Sequence, residues 1–512
     1  MADEQPTDVP AHVAGISRLR GLFRNPISLA GAALALVALV NILLLFLVDM
    51  TAEHPTPYIG ILAYMVAPAI LIFGLLLILA GVLYDRRRRR THIGDAARYL
   101  RIDFSDPGQR GAVAFFFTFL VVFVAMSAVG SYRAYEFTDS VQFCGQLCHS
   151  VMQPEFTAYQ LSPHARVACV DCHVGSGASW YVRSKLSGAR QVIAVTFKTF
   201  PRPIPTPVHN LRPAPDTCEE CHWPRKFYGS QYKVFTHFSS DEKNSPRQVR
   251  MLIKTGGGDP STGAPSGIHW HMNIANEISY IATDDQRQVI PYVHAKDMQG
   301  RITEYMVKDS PLTKEQIGKM PRRKMDCVDC HNRPTHVYVP PDRAVDESLL
   351  SARLDVSLPF LKQQAVAVLT NPYPSTEAAM EGIATDLHKF YLTKYPDIDK
   401  NKQNEIRNAI TEVQRIYKST TFPEMKLDWK THPNNIGHYY FPGCFRCHDG
   451  QHVSADGRTI RKDCEICHSM LGQQEGSESM ASLKGVDFKH PIDIGDLTQM
   501  SCNDCHTGGV GP

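Results

Sequence analysis

Fourteen cysteines fall into seven close pairs, and the second cysteine of every pair is followed at once by histidine. The pairs are Cys144/Cys148-His149, Cys169/Cys172-His173, Cys218/Cys221-His222, Cys327/Cys330-His331, Cys444/Cys447-His448, Cys464/Cys467-His468 and Cys502/Cys505-His506. Six read C-x-x-C-H, and the first, C-G-Q-L-C-H, carries one extra residue. C-x-x-C-H is the pattern of covalent c-type haem attachment, in which two thiols reach the vinyl groups and the histidine comes under the ring as an axial iron ligand. Zinc ribbons, thioredoxin-like redox pairs and disulfide frameworks also use paired cysteines. None of them requires histidine after the second cysteine in every pair. The motifs therefore imply seven c-type haems, the first through an unusual C-x3-C-H in which the extra residue must bulge.

A chain built around seven macrocycles needs less side-chain core than its 512 residues would otherwise demand. A net charge of +3 gives no strong field, so nothing points to nucleic acid. Three apolar segments, about 27–48, 58–84 and 111–130, are each long enough to cross a bilayer as a helix. The first outlasts a signal-peptide core and ends without a small-residue cleavage site, so it reads as a retained anchor. Arg18, Arg20 and Arg24 precede it, Arg86 to Arg90 follow the second, and the intervening loop Thr51 to Thr56 has no Lys or Arg. By the positive-inside rule the N-terminus and the basic loop 85–110 are cytoplasmic. Three spans then carry everything beyond about Ser131 to the periplasm, where haem attachment occurs and where all seven motifs lie. Asn41 in the first span reads as polar glue between helices. The expected location is the bacterial inner membrane.

Past the membrane the expected fold is mainly α and irregular, packed on haem, with a small β insert. The boundaries read as a cytoplasmic tail 1–26, spans within 27–131, a tetrahaem unit 132–337, a helical spacer 338–443 and a trihaem segment 444–512. The β insert, about 248–308, rests on E-I-S-Y-I-A, Q-V-I-P-Y-V and R-I-T-E-Y-M-V separated by T-D-D-Q and D-M-Q-G turns. The spacer shows apolar residues at three and four spacing in D-E-S-L-L-S-A-R-L and K-Q-N-E-I-R-N-A-I-T-E-V-Q-R-I-Y.

Beyond the seven proximal histidines, twelve more lie in the periplasmic part, a surplus over the seven distal positions. Two strong ligands per iron favour electron transfer over substrate binding. The leading distal candidates are His336, five residues past His331, and His164, just before the second motif, followed by His269 and His271 in G-I-H-W-H-M. His438, His452 and His490 complete the set. Met152, three residues after His149, is a candidate ligand to the first haem, with an apolar contact as the equally weighted alternative.

The stretch F-C-G-Q-L-C-H-S-V-M-Q-P-E-F-T-A-Y-Q-L-S-P-H-A-R-V-A-C-V-D-C-H-V, directly after an apolar span, resembles the NapC/NirT family of membrane-anchored multihaem quinol dehydrogenases. C-V-D-C-H-N-R-P-T-H resembles that family's last haem motif. The resemblance implies a four-haem unit with a quinol pocket beside the first haem, with Met152 on the first haem, His336 on the second and His164 on the third. The chain departs from the small members in its three spans, its first motif, its β insert and its three further motifs. That longer layout is similar to the seven-haem inner-membrane cytochromes of bacteria that respire extracellular metals.

The family's quinol pocket falls on W-Y-V-R-S-K-L-S-G-A-R-Q, where the resemblance gives Lys185 a hydrogen bond to a quinone oxygen. Arg183 and Gln191 are the other candidates. Gln191 stands nearest to where the family carries an acidic residue, and an amide cannot serve as a base. Arg183, Lys185 and Arg190 read equally well as partners of lipid phosphates, with Trp180 and Tyr181 as interfacial anchors. The function expected is a heptahaem quinol dehydrogenase that takes electrons from menaquinol in the membrane quinone pool and delivers them to periplasmic c-type cytochromes or other carriers. Three alternatives stay open: a conduit docked on a separate quinol-oxidising protein, a quinone reductase running the other way, and a terminal reductase with one high-spin haem.

Overall fold

The computed structural model describes residues 26–51, 66–91 and 104–509, except 148, 176–177, 209–210, 224–226, 228, 257–266, 273–275, 298, 311, 477 and 496–499. The chain divides into two compact units, Met1–Leu147 and Cys148–Pro512.

In the first unit, helices α1 (Pro26–Thr51) and α2 (Ala67–Thr91) pack on small residues. A Cβ added at Gly31 would stand 2.7 Å from the Gly74 carbonyl oxygen, and one at Gly74 would stand 2.8 Å from the Ala35 nitrogen. With Ala35, Ala38 and Leu71 buried between them, the two backbones meet as small-residue interfaces in membranes do. Among the described residues two helices are long and apolar enough to cross a membrane, Pro26–Leu45 and Ala67–Tyr84. That count is two, against the three spans expected. The third expected span, 111–130, lies within the 32-residue helix α3 (Pro107–Thr138), several of whose side chains lie outside the described residues. Asp106 caps α3 by accepting from the Gly108 amide at 2.8 Å, with Pro107 in the first turn. Asn41 does not bridge helices: its amide donates to Val37 O, one turn back in its own helix, at 2.8 Å. Residues 1–25 of the expected cytoplasmic tail, the loop residues 52–56 and the stretch 92–103 of the expected basic loop lie outside the described residues.

The second unit opens with α4 (His149–Gln160) and α5 (Ala178–Thr196) and then turns to strands. One sheet has the antiparallel order β1-β2-β8-β9, from β1 (Gln231–Phe238), β2 (Pro246–Ile253), β8 (His468–Glu475) and β9 (Glu478–Ala481). The other has the order β6-β3-β4-β5-β7, from β3 (Glu277–Ile281), β4 (Tyr292–Lys296), β5 (Ile302–Val307), β6 (Arg323–Lys324) and β7 (His452–Ser454). Both sheets recruit strands from beyond residue 444, so the segment with the last three motifs shares sheets with the β insert. The alternation in Q-Y-K-V-F-T-H-F marks β1, which lies upstream of the expected insert.

Between the fourth and fifth motifs lie α6 (Pro341–Leu350), α7 (Leu361–Thr370), α8 (Thr376–Lys394) and α9 (Gln403–Thr420). Ser375 caps α8 through the Ala378 amide at 3.2 Å, and Ala379, Ile383, Leu387 and Tyr391 bury one face at four-residue spacing. Ile406, Ala409, Val413, Ile416 and Tyr417 of α9 meet them in the largest core of the unit. Asn244, in the turn after β1, is 1 % exposed and donates to Val356 O and Leu358 O at 3.0 and 2.9 Å, tying the first sheet to this helical layer. Side-chain cores elsewhere are small, which leaves room around the motifs.

Candidate haem-binding sites

Each C-x-x-C-H motif sits on a single helical turn. His222, His331, His448 and His506 donate their amides to the carbonyl of the first cysteine of their own motif at 2.8 to 3.0 Å. Closing one turn in this way puts both thiols and the imidazole at one end of the turn. In three motifs the residue before the second cysteine is aspartate, and Asp171, Asp329 and Asp504 accept from the amides of Ala168, Asp326 and Ser501 at 3.1, 2.7 and 3.0 Å. These bonds cap the turn from inside the motif. In the first motif Phe143–Leu147 form a turn of π-helix, which takes one residue more per turn than an α-helix, as the longer C-x3-C spacing requires. Cys148 and the His149 side chain lie outside the described residues.

Every other motif histidine faces a second imidazole. Ring centres are 6.3 Å apart for His173 and His336, 5.9 Å for His222 and His164, and 6.3 Å for His331 and His269. They are 5.8 Å apart for His448 and His271, 6.2 Å for His468 and His438, and 6.1 Å for His506 and His490. A metal held between two imidazoles through bonds of about 2 Å, with roughly 1 Å more from nitrogen to ring centre, sets the centres about 6 Å apart. All six separations therefore fit one iron between each pair.

The ring nitrogens are arranged to suit. His336 Nδ1 bonds Glu155 O at 3.0 Å, His164 Nδ1 bonds Pro334 O at 3.3 Å, and His269 Nδ1 bonds Thr255 O at 2.8 Å. His271, His448 and His490 bond Ile268 O, Arg461 O and Ile492 O at 3.1, 2.8 and 2.8 Å. A carbonyl accepting from Nδ1–H leaves the Nε2 lone pair for a metal. Burial holds His173, His271, His331, His438, His448, His468 and His506 below the usual imidazole range and, with the Arg333 charge, pushes His336 down to about 4. Neutral imidazole is the ligating form.

From the second to the seventh, consecutive motifs are neighbours. Cys218 and Cys327 are in hydrogen-bond contact. Burial raises Cys172, with Cys221 among the groups adding to it, and pushes Cys330 up to about 12, where Cys444 contributes. Burial likewise pushes Cys467 up to about 11 with help from Cys444, and raises Cys502 with help from Cys464. A continuous cavity of about 3120 Å3 runs past the third to seventh motifs, several times the roughly 300–1,000 Å3 of a small-molecule pocket. Its size, the imidazole gaps and the thiols beside them fit haem. Among the described residues no three His, Cys, Asp or Glu side chains converge as a bare metal site.

His452 stands apart from the other candidates. It is fully buried, with Nδ1 on Asp449 at 2.9 Å and Nε2 on Ile290 O at 2.7 Å, so neither nitrogen is left for iron. Its sequence neighbourhood resembles that of a ligand, but its ring pins β7 to the loop before β4. Met152 lies half-buried on α4, and the undescribed His149 side chain leaves its role to the proposal below. Two supporting aromatics escaped the sequence reading. Phe445, inside the fifth motif, stacks on His438 at 4.2 Å, and Phe227 lies 4.5 Å from His269. An aromatic between the cysteines was the only available signal, and it does not say which ring it meets.

The quinol candidates all lie on α5, and that helix does not bring them together. At about 100° per residue, Lys185 points roughly 160° from Arg183 and 120° from Gln191. Arg183 is exposed, its guanidinium 5.2 Å from the Trp180 ring centre, and Gln191 donates to Ser187 Oγ at 3.3 Å. Lys185 is half-buried. Leu186, Ile193 and Phe197 are 69, 59 and 73 % exposed along one stripe of the segment.

A model of the N-terminal region of the NapC/NirT cytochrome c family matches residues 107–203. The cytochrome c-type protein ImcH of Geobacter sulfurreducens is 47% identical over 507 residues, which cover 97% of this chain and 99% of that protein. No solved structure matches.

Proposed function

We propose a function from one premise, that this chain belongs to the NapC/NirT type of multihaem c-type cytochromes, membrane-anchored proteins of electron transfer. On that premise it is a heptahaem quinol dehydrogenase of the bacterial inner membrane. It oxidises menaquinol near the first motif and delivers electrons to periplasmic c-type cytochromes or similar carriers. The observation that carries the reading is the set of six imidazole pairs at 5.8 to 6.3 Å, one for each motif from the second to the seventh.

Haem, when bound, supplies a one-electron iron couple at each motif. The chain's own residues do the rest. Thiol pairs fix each macrocycle, and His173, His222, His331, His448, His468 and His506 ligate from the motif side. His336, His164, His269, His271, His438 and His490 close the opposite side, in that order. Two imidazoles on each iron would keep small substrates off the metal, which would favour transfer over catalysis there and disfavour a terminal reductase. Motif-to-motif contact from the second to the seventh keeps transfer distances short. At the first motif His149 and Met152 are the proposed ligands, and a thioether there raises the potential.

Oxidising a quinol to a quinone releases two electrons and two protons. Lys185 is proposed to hydrogen-bond a quinone oxygen, while Arg183 and Gln191 line the approach from other faces of α5. The exposed stripe Leu186, Ile193 and Phe197, with Arg183 and Arg190 nearby, supports α5 as the element that meets the bilayer surface. The arginine flanks of the apolar segments support a cytoplasmic N-terminus and a periplasmic haem unit, with 111–130 as the third span.

The test is to mix the detergent-solubilised protein anaerobically with a menaquinol analogue and follow reduced-haem absorbance, with and without a quinone-site inhibitor. Fast, inhibitor-sensitive reduction is expected. Reduction by dithionite alone would move the quinol site to another protein.

A further inference from the structure

Arg333, two residues past the fourth motif's histidine, is buried, with 6 % of its surface exposed. Its Nε donates to His336 O at 2.8 Å, and its guanidinium lies 5.1 Å from the Tyr338 ring centre. Its Nη2 is buried and bonded to nothing. Glu155 attracts Arg333 from a distance but forms no ion pair with it: Glu155 Oε1 accepts from Tyr338, which also bonds Arg333, at 3.2 Å, and Oε2 is buried without a partner. His432, 5 % exposed, stands beside the same tyrosine, 6.4 Å between ring centres, and within range of the Arg333 charge. Thr206 Oγ1 meets its Nδ1 at 3.2 Å, and Nε2 is buried and bonded to nothing. With Thr206 donating to Nδ1, the proton sits on Nε2, which is buried and has no partner among the described residues. Both residues line the cavity that passes the third to seventh motifs.

A guanidinium buried without an anion is costly, and native proteins pair such groups. A donor fork beside a second N–H suits a planar two-oxygen anion. Haem brings such an anion with it, because its propionate side chains are carboxylates. We propose that Arg333 and His432 form a buried cradle for one propionate of the haem seated between His173 and His336, and that Arg333 thereby sets that haem's potential. The haem is assigned by Arg333's own anchor: its Nε holds the backbone of His336, the residue whose ring faces His173. The inference rests on the reading that haem fills that gap.

Removing the cation leaves the propionate negative near the iron, which favours the ferric form. Arg333→Met is expected to lower one midpoint potential by about 59 mV, tenfold in the reduction equilibrium of a one-electron couple, in redox titration of the membrane-extracted protein. Arg333→Lys, which keeps the charge, should hold most of the potential. His336→Met, an axial change at the same haem, should raise the same couple. Haem content is measured in parallel. If the wild type lacks haem at the second motif, the underlying reading fails. With all haems present, an unmoved set of potentials in Arg333→Met overturns the cradle, as does a Lys variant that falls as far as the Met variant. A different couple moving in His336→Met overturns the assignment to this haem. Should Arg333→Met not accumulate, His432→Phe removes one donor. It should shift the propionate bending band in resonance Raman while His432→Gln retains it, and no shift in the Phe variant overturns the proposal.

Discussion

An imidazole offers iron a well-aimed lone pair when its other nitrogen is already committed. His269 and His271, two residues apart on the turn Ile268–Met272, each commit Nδ1 to a backbone carbonyl and face different motif histidines, His331 and His448. Their substitutions should therefore be distinguishable. His269→Ala is expected to produce one high-spin haem at the fourth motif and His271→Ala one at the fifth. Electron paramagnetic resonance of the oxidised protein checks this, and the same haem responding to both would refute the pairing. Lys185→Ala should slow reduction by quinol and leave dithionite reduction untouched, and equal slowing of both would remove Lys185 from the quinol site. Much of this was legible residue by residue, since the histidine after each second cysteine marks the proximal position. Distal positions were legible only as a pool. His452 and His438 look alike in sequence, and only the strand that carries His452 to Ile290 O separates them. Arg333 and His432 carried no sequence signal, because an unpaired buried donor is a property of the packed chain.

At the scale of elements, the helical layer α6 to α9 holds the largest side-chain core and should behave as an ordinary helical domain. Ile383 is fully buried on α8, so Ile383→Ala should cost about 2–5 kcal/mol in denaturant unfolding. A loss below roughly 1 kcal/mol would mean this layer is not cooperative with the fold. The same layer supplies a pH handle in Glu412. Burial raises its carboxyl, but hydrogen bonds from Arg415, Ser348 and Arg353 outweigh that and hold it at about 2. A folded pKa below the unfolded one stabilises the protein above the unfolded value, and the gain fades as pH falls toward about 2. Glu412→Gln should cost roughly 2 kcal/mol at neutral pH and progressively less below about pH 4.5. A cost independent of pH would show that shape rather than charge matters there. These helices were legible because burial at three and four spacing is local. The sheets were less so, because β8 pairs with β2 across more than two hundred residues and no local pattern specifies a partner at that range. Arg183, Lys185 and Gln191 lie on different faces of α5 for an equally local reason, the angular step of a single helix.

Over the whole molecule, each distal histidine comes from outside the motif it faces. His336 follows the fourth motif yet faces the second, and His164 precedes the second yet faces the third. Filled with iron, these crossings would staple segments that share little apolar core, so folding and haem attachment should be inseparable. Two helices among the described residues are of membrane length, and contacts between motifs from the second to the seventh bring the proposed haem sites close together. The central claim is a seven-haem wire with both axial positions filled at six sites. Near-infrared magnetic circular dichroism of the oxidised protein, read alongside haem content, tests it most directly. The account predicts seven haems, six with bis-histidine charge-transfer bands and one with a histidine–methionine band. Fewer haems, or high-spin iron at any motif from the second to the seventh, would contradict it.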